Sequence, residues 1–293
     1  MPRAALLSIH ARVESAGPTA WEHRSLVQLW GPRFSAYVVA AKDLAVFSLG
    51  LPEDVRGRVR AHETAARLHA FLDGRRMPFG QAGRGMGVRH NSLRYAAPTG
   101  RVLLRWEGAR QPLVWTGPAI DVDPRHARLE LARRYLHVFG PATAASFGGW
   151  AGIQSAAAHS AFEALGQEIV AVRTPIGDAW ILADDETEFR APPGPAAAAR
   201  LLPSGDTYYL LWGADREFLV PDARRRAALW TSRVWPGALL MNGEIVGVWR
   251  RAEGDVSIES WRRISSSERE TVEAEATSLP LPALNGPITV HWS

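Results

Sequence analysis

The chain has 293 residues, 46% hydrophobic and 22% charged, an ordinary globular balance with room for two or three domains. It contains no Cys, which excludes disulfides, thiolate metal sites and cysteine nucleophiles. It also has no uncharged apolar run of about 18 residues, the length a membrane span needs. The net charge is +4 with a sequence pI near 9.9, and Lys42 is the one lysine among 34 basic side chains. That arginine bias suits phosphate but also follows genome composition, so it is weak evidence for a nucleic-acid partner. The stretch Met1–Val13 lacks the apolar length and small-residue cleavage site of a signal peptide. A reducing cytoplasm is therefore the expected compartment.

In chain order, Arg3 to Val13 reads as a helix, broken by Ser15-Ala16-Gly17-Pro18. Thr19 with Glu22 forms a capping-box pattern for a second helix running to Trp30. Gly31-Pro32 ends it, Phe34 to Ala40 reads as a strand, and Asp43 to Leu49 as a short helix. Residues 1–51 thus look like the back half of a winged helix whose opening helix is absent. Residues 52–78 add two helical stretches with Val55, Val59, Leu68, Phe71 and Leu72 as apolar positions.

The most informative stretch is Phe79 to Trp115. Gly83 is the small residue that a close helix crossing needs. Gly87, four positions on, supplies a turn with φ > 0. Val88 plugs that turn, and Leu93 and Ala96 form the inward face of a second helix. Its outward positions are Arg89, His90, Asn91 and Arg94, side-chain types that read base edges and phosphates in a major groove. Arg101 to Trp106, a turn at Glu107-Gly108-Ala109-Arg110 and Gln111 to Trp115 form a hairpin, or wing, whose Arg105 and Arg110 are placed to touch phosphate.

Residues 124–190 repeat the pattern after a boundary at Asp121–Pro124. Leu129 to Phe139 is a helix ended by Gly140-Pro141, and Thr143 caps the next. Gly148, Gly152, Ile153, Ala158 and Ala161 keep the register of Gly83, Gly87, Val88, Leu93 and Ala96, and a repeated unit is stronger evidence than one copy. Glu168 to Thr174 and Asp178 to Ala183 form a second wing. The outward face here, Gln154, Ser155, His159, Ser160 and Glu163, is almost neutral, so weaker DNA binding is expected of it.

Arg190 to Arg200 is a Pro/Ala linker. Beyond it the period changes to two. Leu239 to Met241 and Glu244 to Trp249 flank Asn242-Gly243, the favoured two-residue hairpin turn. Asp255 to Ile264 is a third strand, Ser267 with Glu270 opens a helix to Thr277, and Ile288 to Trp292 is a last strand. Arg250-Arg251 and Arg262-Arg263 mark a basic rim or simple solvation.

The fold class is therefore α+β, with tandem winged helices followed by a C-terminal β-rich domain. The expected domains are 1–51, 52–123, 124–190 and 191–293. Known chemical motifs are wanting. No Lys-Ser/Thr follows Gly83, Gly85 and Gly87, so a phosphate loop is not indicated. His62-Glu63 lacks the second His of a metalloprotease helix, and no nucleophile elbow is present. Neither a metal nor a cofactor is expected.

The chain resembles the winged-helix DNA-binding family that includes the AlkZ- and YcaQ-type DNA glycosylases. The resemblance lies in Leu29-Trp30-Gly31-Pro32-Arg33 with Tyr37-Val38-Val39 and Asp43-Leu44. It continues in Tyr135-Leu136 through Phe139-Gly140-Pro141-Ala142-Thr143 to Phe147 and Trp150, in Arg200-Leu201-Leu202-Pro203 with Asp206, and in Val246-Gly247 with Trp249-Arg250. It implies three tandem winged helices and a C-terminal β domain on duplex DNA. For the enzymatic members it also implies removal of alkylated bases and unhooking of interstrand cross-links.

It places Arg33 on the DNA face of the first unit, against a plain reading as a helix-ending salt bridge. The Gln-apolar-Gln or Gln-apolar-Asp pair of those glycosylases would lie ahead of Arg3, and Gln28-Leu29-Trp30 is not that pair. The catalytic residue is therefore unknown, with Glu14, His10 and Gln28 the next positions to test. The leading expectation is a monomeric, nucleoid-associated protein that binds double-stranded DNA in repair. An active base-excision enzyme, a transcription regulator and a non-binding scaffold are the rivals.

Overall fold

The computed structural model of the protein describes residues 2–51, 55–106, 111–281, 284 and 286–293. Two units form, one drawn from Glu22–Phe189 and the other from Arg3–Trp21 together with Arg190–Ser293. The mixed α and β content agrees with the expected class. The grouping differs from the sequence reading at the start of the chain, because helix α1 (Pro2–His10) sits in the second unit rather than with residues 22–51. Leu7 explains this: it lies in one apolar cluster with Leu201, Leu239, Val256 and Val272.

In the first unit, the helix expected from Thr19 to Trp30 is not formed. A single 3₁₀ turn, Ala20–Glu22, is followed by strand β1 (Leu26–Trp30). β1 pairs antiparallel with β2 (Ala36–Ala40), Leu26 opposite Ala40 and Trp30 opposite Ala36. The helix does not continue past this turn, because β-branched and aromatic side chains gain more from packing in a strand. Trp30 packs against Phe79 at 5.1 Å between ring centroids. The intervening turn holds Arg33 and Phe34 at φ of 55° and 54°. Arg33 is thus a hairpin-turn residue, not the end of a helix. Helix α2 (Leu44–Leu49) follows.

Residues 52–54 and 107–110 lie outside the described residues, and with them Arg110 and the tip of the wing. Where two helices were expected over 52–78, one helix runs, α3 (Val55–Leu72). It buries Ala61, Ala65, Leu68 and Leu72, while Val59, expected inward, is 53% exposed. An unexpected short strand β3 (Met77–Pro78) precedes α4 (Phe79–Gly85). A 3₁₀ helix, His90–Thr99, comes next, then β4 (Val102–Arg105) and β5 (Leu113–Thr116). The sheet order is β3-β5-β4, with Met77 opposite Val114 and Arg105 opposite Leu113.

Residues 124–190 form three helices, a hairpin and a short closing helix. Helix α5 (Pro124–Phe139) starts earlier than expected, because Asp123 caps it by accepting from the Arg125 N–H. Helices α6 (Ala144–Ala151) and α7 (Ser155–Leu165) lead to the hairpin of β6 (Ile169–Thr174) and β7 (Gly177–Leu182). A short helix α8 (Glu186–Arg190) closes this part.

The second unit is a five-stranded sheet. Its strands are β8 (Arg200–Leu202), β9 (Gly237–Met241), β10 (Glu244–Ala252), β11 (Asp255–Ser260) and β12 (Thr289–Trp292). They lie in the order β12-β11-β10-β9-β8. Asn242 and Gly243 take φ of 50° and 86° in the β9–β10 turn, as a type I′ hairpin requires. The strand expected to reach Ile264 stops at Ser260. Between β8 and β9 lie two unforeseen helices, α9 (Ala214–Leu219) and α10 (Ala223–Leu229). Helix α11 (Ser266–Thr277) carries its capping box on Ser265 and Glu268 rather than on Ser267 and Glu270. α1 is tied to this unit by a buried carboxylate. Asp206 accepts from Ser8 Oγ at 2.6 Å and from both Arg12 terminal nitrogens at 2.9 and 2.7 Å.

Candidate DNA interface

The candidate surface is built on Gly83. A Cβ added there would lie 2.6 Å from the His90 Cα, so only glycine lets α4 meet the following segment at backbone distance. The Val88 N–H donates to the Gly83 carbonyl at 2.9 Å, and Gly87 has φ of 68°. These bonds close α4 in the manner of a Schellman end. Gly85 is also confined, because a Cβ would meet the Phe71 ring.

Arg89 is extended, and the chain then enters the 3₁₀ helix. Its period of three suits this segment: Leu93, Ala96 and Thr99 fall on one side and are all buried. Thr99 reinforces the end by donating its hydroxyl to the Ala96 carbonyl at 2.7 Å. The segment is therefore helical and buries the expected residues, but it is a 3₁₀ helix rather than an α-helix.

Arg89, His90 and Asn91 are exposed together at the start of this segment. The His90 ring stands edge-on to Phe79 at 5.2 Å, which fixes its position. Arg94 is half-buried. Its guanidinium lies 5.2 Å from the Tyr95 ring centroid and donates to the Tyr95 hydroxyl at 3.3 Å. Tyr95, not singled out from the sequence, is 49% exposed and packs edge-on to Phe34 at 4.9 Å. Arg84, exposed on α4, is a second residue that sequence reasoning passed over. Its cationic side chain in the Gly-rich stretch was the available signal.

Two other expected DNA-facing residues are engaged inside the protein. Arg105 pairs with Glu22 at 3.1 Å. Arg33 donates to the Gly149 carbonyl at 3.1 Å, and its Cγ would lie 3.1 Å from a Cβ on Gly152. Arg33 thus braces the α6–α7 turn. Arg89, His90, Asn91 and Arg94 are brought together on one stretch of chain, whereas Arg33 and Arg105 are bonded to Gly149 and Glu22.

In the repeat, Thr143 accepts from the Ser146 N–H at 3.1 Å, and Gly152 has φ of 74°. A Cβ on Gly148 would meet the Ala158 Cβ at 3.2 Å. Gln154, Ser155, His159, Ser160 and Glu163 are exposed, and Ala158 and Ala161 are buried.

The Gln28 carbonyl oxygen already accepts from the Trp106 N–H at 2.7 Å. His10 bonds Ser278 Oγ at 3.1 Å in the second unit, and Glu14 is exposed. Burial, the largest influence, pushes the Tyr37 phenol up to about 12, which removes it as an acid–base group near neutral pH. Among the described residues no cluster of three or more His, Asp or Glu side chains could hold a metal ion, and no helix is long and apolar enough to cross a membrane.

Three comparisons converge. The fold is similar to that of the Streptomyces sahachiroi DNA glycosylase AlkZ, with a TM-score of 0.77 and 17% identity over 99% of this chain and 89% of that one. An interstrand DNA cross-link repair glycosylase from Streptomyces sahachiroi is 29% identical over 161 residues. That alignment takes in 53% of this chain and 42% of the relative, so the match spans under half of the relative's length. The description "DNA glycosylase AlkZ-like" matches residues 1–280, and on this ground the chain belongs to the AlkZ-like DNA glycosylase family.

Proposed function

We propose that the protein binds duplex DNA in the repair of alkylated or cross-linked bases, acting within the cytoplasm on nucleoid DNA. The observation that carries this reading is the exposed Arg89–His90–Asn91 run on the glycine-hinged helix pair of a glycosylase-family chain. Residues 52–123 and 124–190 are read as winged-helix domains, with β4–β5 and β6–β7 as their wings, and β1–β2 as the wing of another. In this reading Arg89 and Asn91 face base edges or phosphates. Arg94 holds Tyr95, and Arg110 contacts phosphate from the wing. Arg33 and Arg105 contribute less, since each is already bonded within the protein.

The activity that the relative is named for suggests glycosidic-bond hydrolysis for this chain as well. That reaction needs an oriented water and stabilisation of a cationic sugar, and no side chain is assigned to either task. Binding is tested by fluorescence anisotropy on short duplexes over a salt series. The substitution Arg89→Ala should flatten the log–log salt slope by about one unit for each phosphate no longer neutralised; an unchanged slope removes this face from the interface. Base release is tested by single-turnover liberation of an N7-alkylated purine. Tight footprinting of one operator without any release would make the protein a regulator instead.

A further inference from the structure

The second unit carries a surface that the reading above leaves unused. Three tryptophans converge on one arginine: the Arg216 guanidinium lies 5.0 Å from the Trp212 ring centroid, 5.0 Å from Trp230 and 5.2 Å from Trp235. The frame is fixed by hydrogen bonds. Arg216 Nε donates to the Leu211 carbonyl at 2.7 Å, and Trp230 Nε1 donates to the Tyr209 carbonyl at 3.0 Å. All three indoles and Arg216 remain partly exposed. Among the described residues no carboxylate is ion-paired with Arg216. Desolvation lowers its pKa, in keeping with a cation held by ring faces rather than by an anion.

The neighbourhood is apolar and of mixed charge, with Asp215 and Glu217 on either side of Arg216 in α9. Tyr208, Phe218 and Val234 are exposed at 37%, 59% and 69%. The turn Thr231–Val234 is closed by the Thr231 hydroxyl bonding the Val234 carbonyl at 2.9 Å. It carries Arg233, exposed and without a hydrogen bond or ion pair among the described residues. Arg250, also exposed, reaches the Val234 carbonyl at 3.5 Å from β10, so two arginines flank one turn. In the same unit the Arg225 guanidinium sits 5.9 Å from the Trp261 ring centroid.

Partly exposed indoles interleaved with arginines, two of them (Trp230 and Trp235) with their inner sides packed on the core of the unit, are the physical makings of a single-strand site. Every base offers a π face to stack on, and the cations follow the backbone. We propose that this surface binds single-stranded DNA, with unpaired bases stacking on the Trp212–Trp230–Trp235 cluster and Arg233 and Arg250 meeting the phosphates. The site lies in a different unit from Arg89 and Asn91, and it does not depend on base release.

The test is anisotropy of a labelled oligothymidylate against an abasic oligomer of equal length and charge, using the full chain. The unaltered protein should bind the thymidylate about tenfold tighter, within the range expected of base stacking on an aromatic ring. Equal binding of the two oligomers overturns the proposal without any variant that risks misfolding. The double substitution Arg233→Ala with Arg250→Ala should flatten the single-strand salt slope by about 1.4 units, roughly 0.7 for each arginine removed. Replacing Arg89 and Asn91 by Ala should weaken duplex binding and leave thymidylate binding as it was. If those two replacements abolish both, the single strand is held by the first unit and the proposal fails, whereas loss of duplex binding alone supports it.

Discussion

The pair α4 with its 3₁₀ helix and the pair α6 with α7 share one register of glycines, yet they resolve the crossing differently. In the first, Gly83 lies against the His90 backbone and the second helix starts at the contact. In the second, Gly148 lies against the Ala158 side chain, further along a regular α-helix. By register Leu93 stands where Ala158 stands, and both are fully buried. The small residue at Ala158 admits an α-helix close to α6. Leu93 is the larger buried side chain, and its segment is a 3₁₀ helix with a period of three. The glycine hinge is thus a steric requirement, while the geometry and charge of the second helix are free to differ.

Stability measurements should separate the two pairs. Leu93→Ala leaves a cavity in a closed cluster and should cost about 3 kcal/mol, read from urea unfolding. A loss below about 1 kcal/mol would mean that the site collapses and that Leu93 is not its filler. Next, Gly83→Ala should cost about 2 kcal/mol despite the roughly 1 kcal/mol gain in helix propensity, because the new methyl meets backbone. Gly148→Ala should come out within about 1 kcal/mol of zero, since its tight neighbour is the Ala158 methyl, which has to give by only a few tenths of an ångström, a cost set against the gain in helix propensity. Equal losses at the two glycines would erase the distinction drawn above.

The faces should differ in DNA affinity by a comparable amount. Replacing Arg89 and Asn91 together should weaken duplex binding by about 1–3 kcal/mol. Replacing Gln154 and Ser155 should change it by less than the error of a titration, and a matching loss there would show that both pairs engage DNA. Smaller still, Thr143→Ala should cost about 1 kcal/mol by removing the cap of α6, whereas the N-cap residue of α4, Pro78, makes no such bond and the Gly80 N–H there donates to Gln111 Oε1 at 3.1 Å instead.

The last effect is one of pH. The Arg133 guanidinium, bonded to Glu168 at 2.5 and 2.6 Å, holds that carboxylate below its ordinary range. The contribution is complete above the ordinary glutamate range and fades as pH falls through the lowered value. Because Glu168 is exposed the effect is slight. Glu168→Gln should remove it, leaving stability at neutral pH nearly unchanged and its acid-side slope shallower.

Much of this was legible because sterics leave few options. Gly83, Gly87 and Val88 specify a hinge wherever they occur at that spacing, and Gly148, Gly152 and Ile153 share its defining bond, from the Ile153 N–H to the Gly148 carbonyl at 3.0 Å. Asn242-Gly243 likewise admits one kind of turn. Strand β1 was illegible because its capping signal is local, while the packing of Trp30 against Phe79 joins residues far apart in sequence. The two-residue strand β3 is too short to show a period. In the candidate site, the spacing of Leu93 and Ala96 marked the buried side, while Arg94, expected outward with Arg89, His90 and Asn91, is half-buried because its guanidinium lies on the neighbouring Tyr95 ring. The engagement of Arg33 with Gly149 and of Arg105 with Glu22 followed from tertiary pairings that no spacing encodes.

The clasp of Arg12 on Asp206 has a consequence in time. Its two halves are 194 positions apart, and ribosomes add about 5–20 residues per second. Once made, α1 therefore waits roughly 10–40 s for its partners to emerge. Through that interval Leu6 and Leu7, later buried, face water, while residues 22–189 emerge and fold. An apolar helix held open so long is a binding target for chaperones acting on nascent chains, and cells short of them should accumulate protein whose first unit is formed and whose second is not.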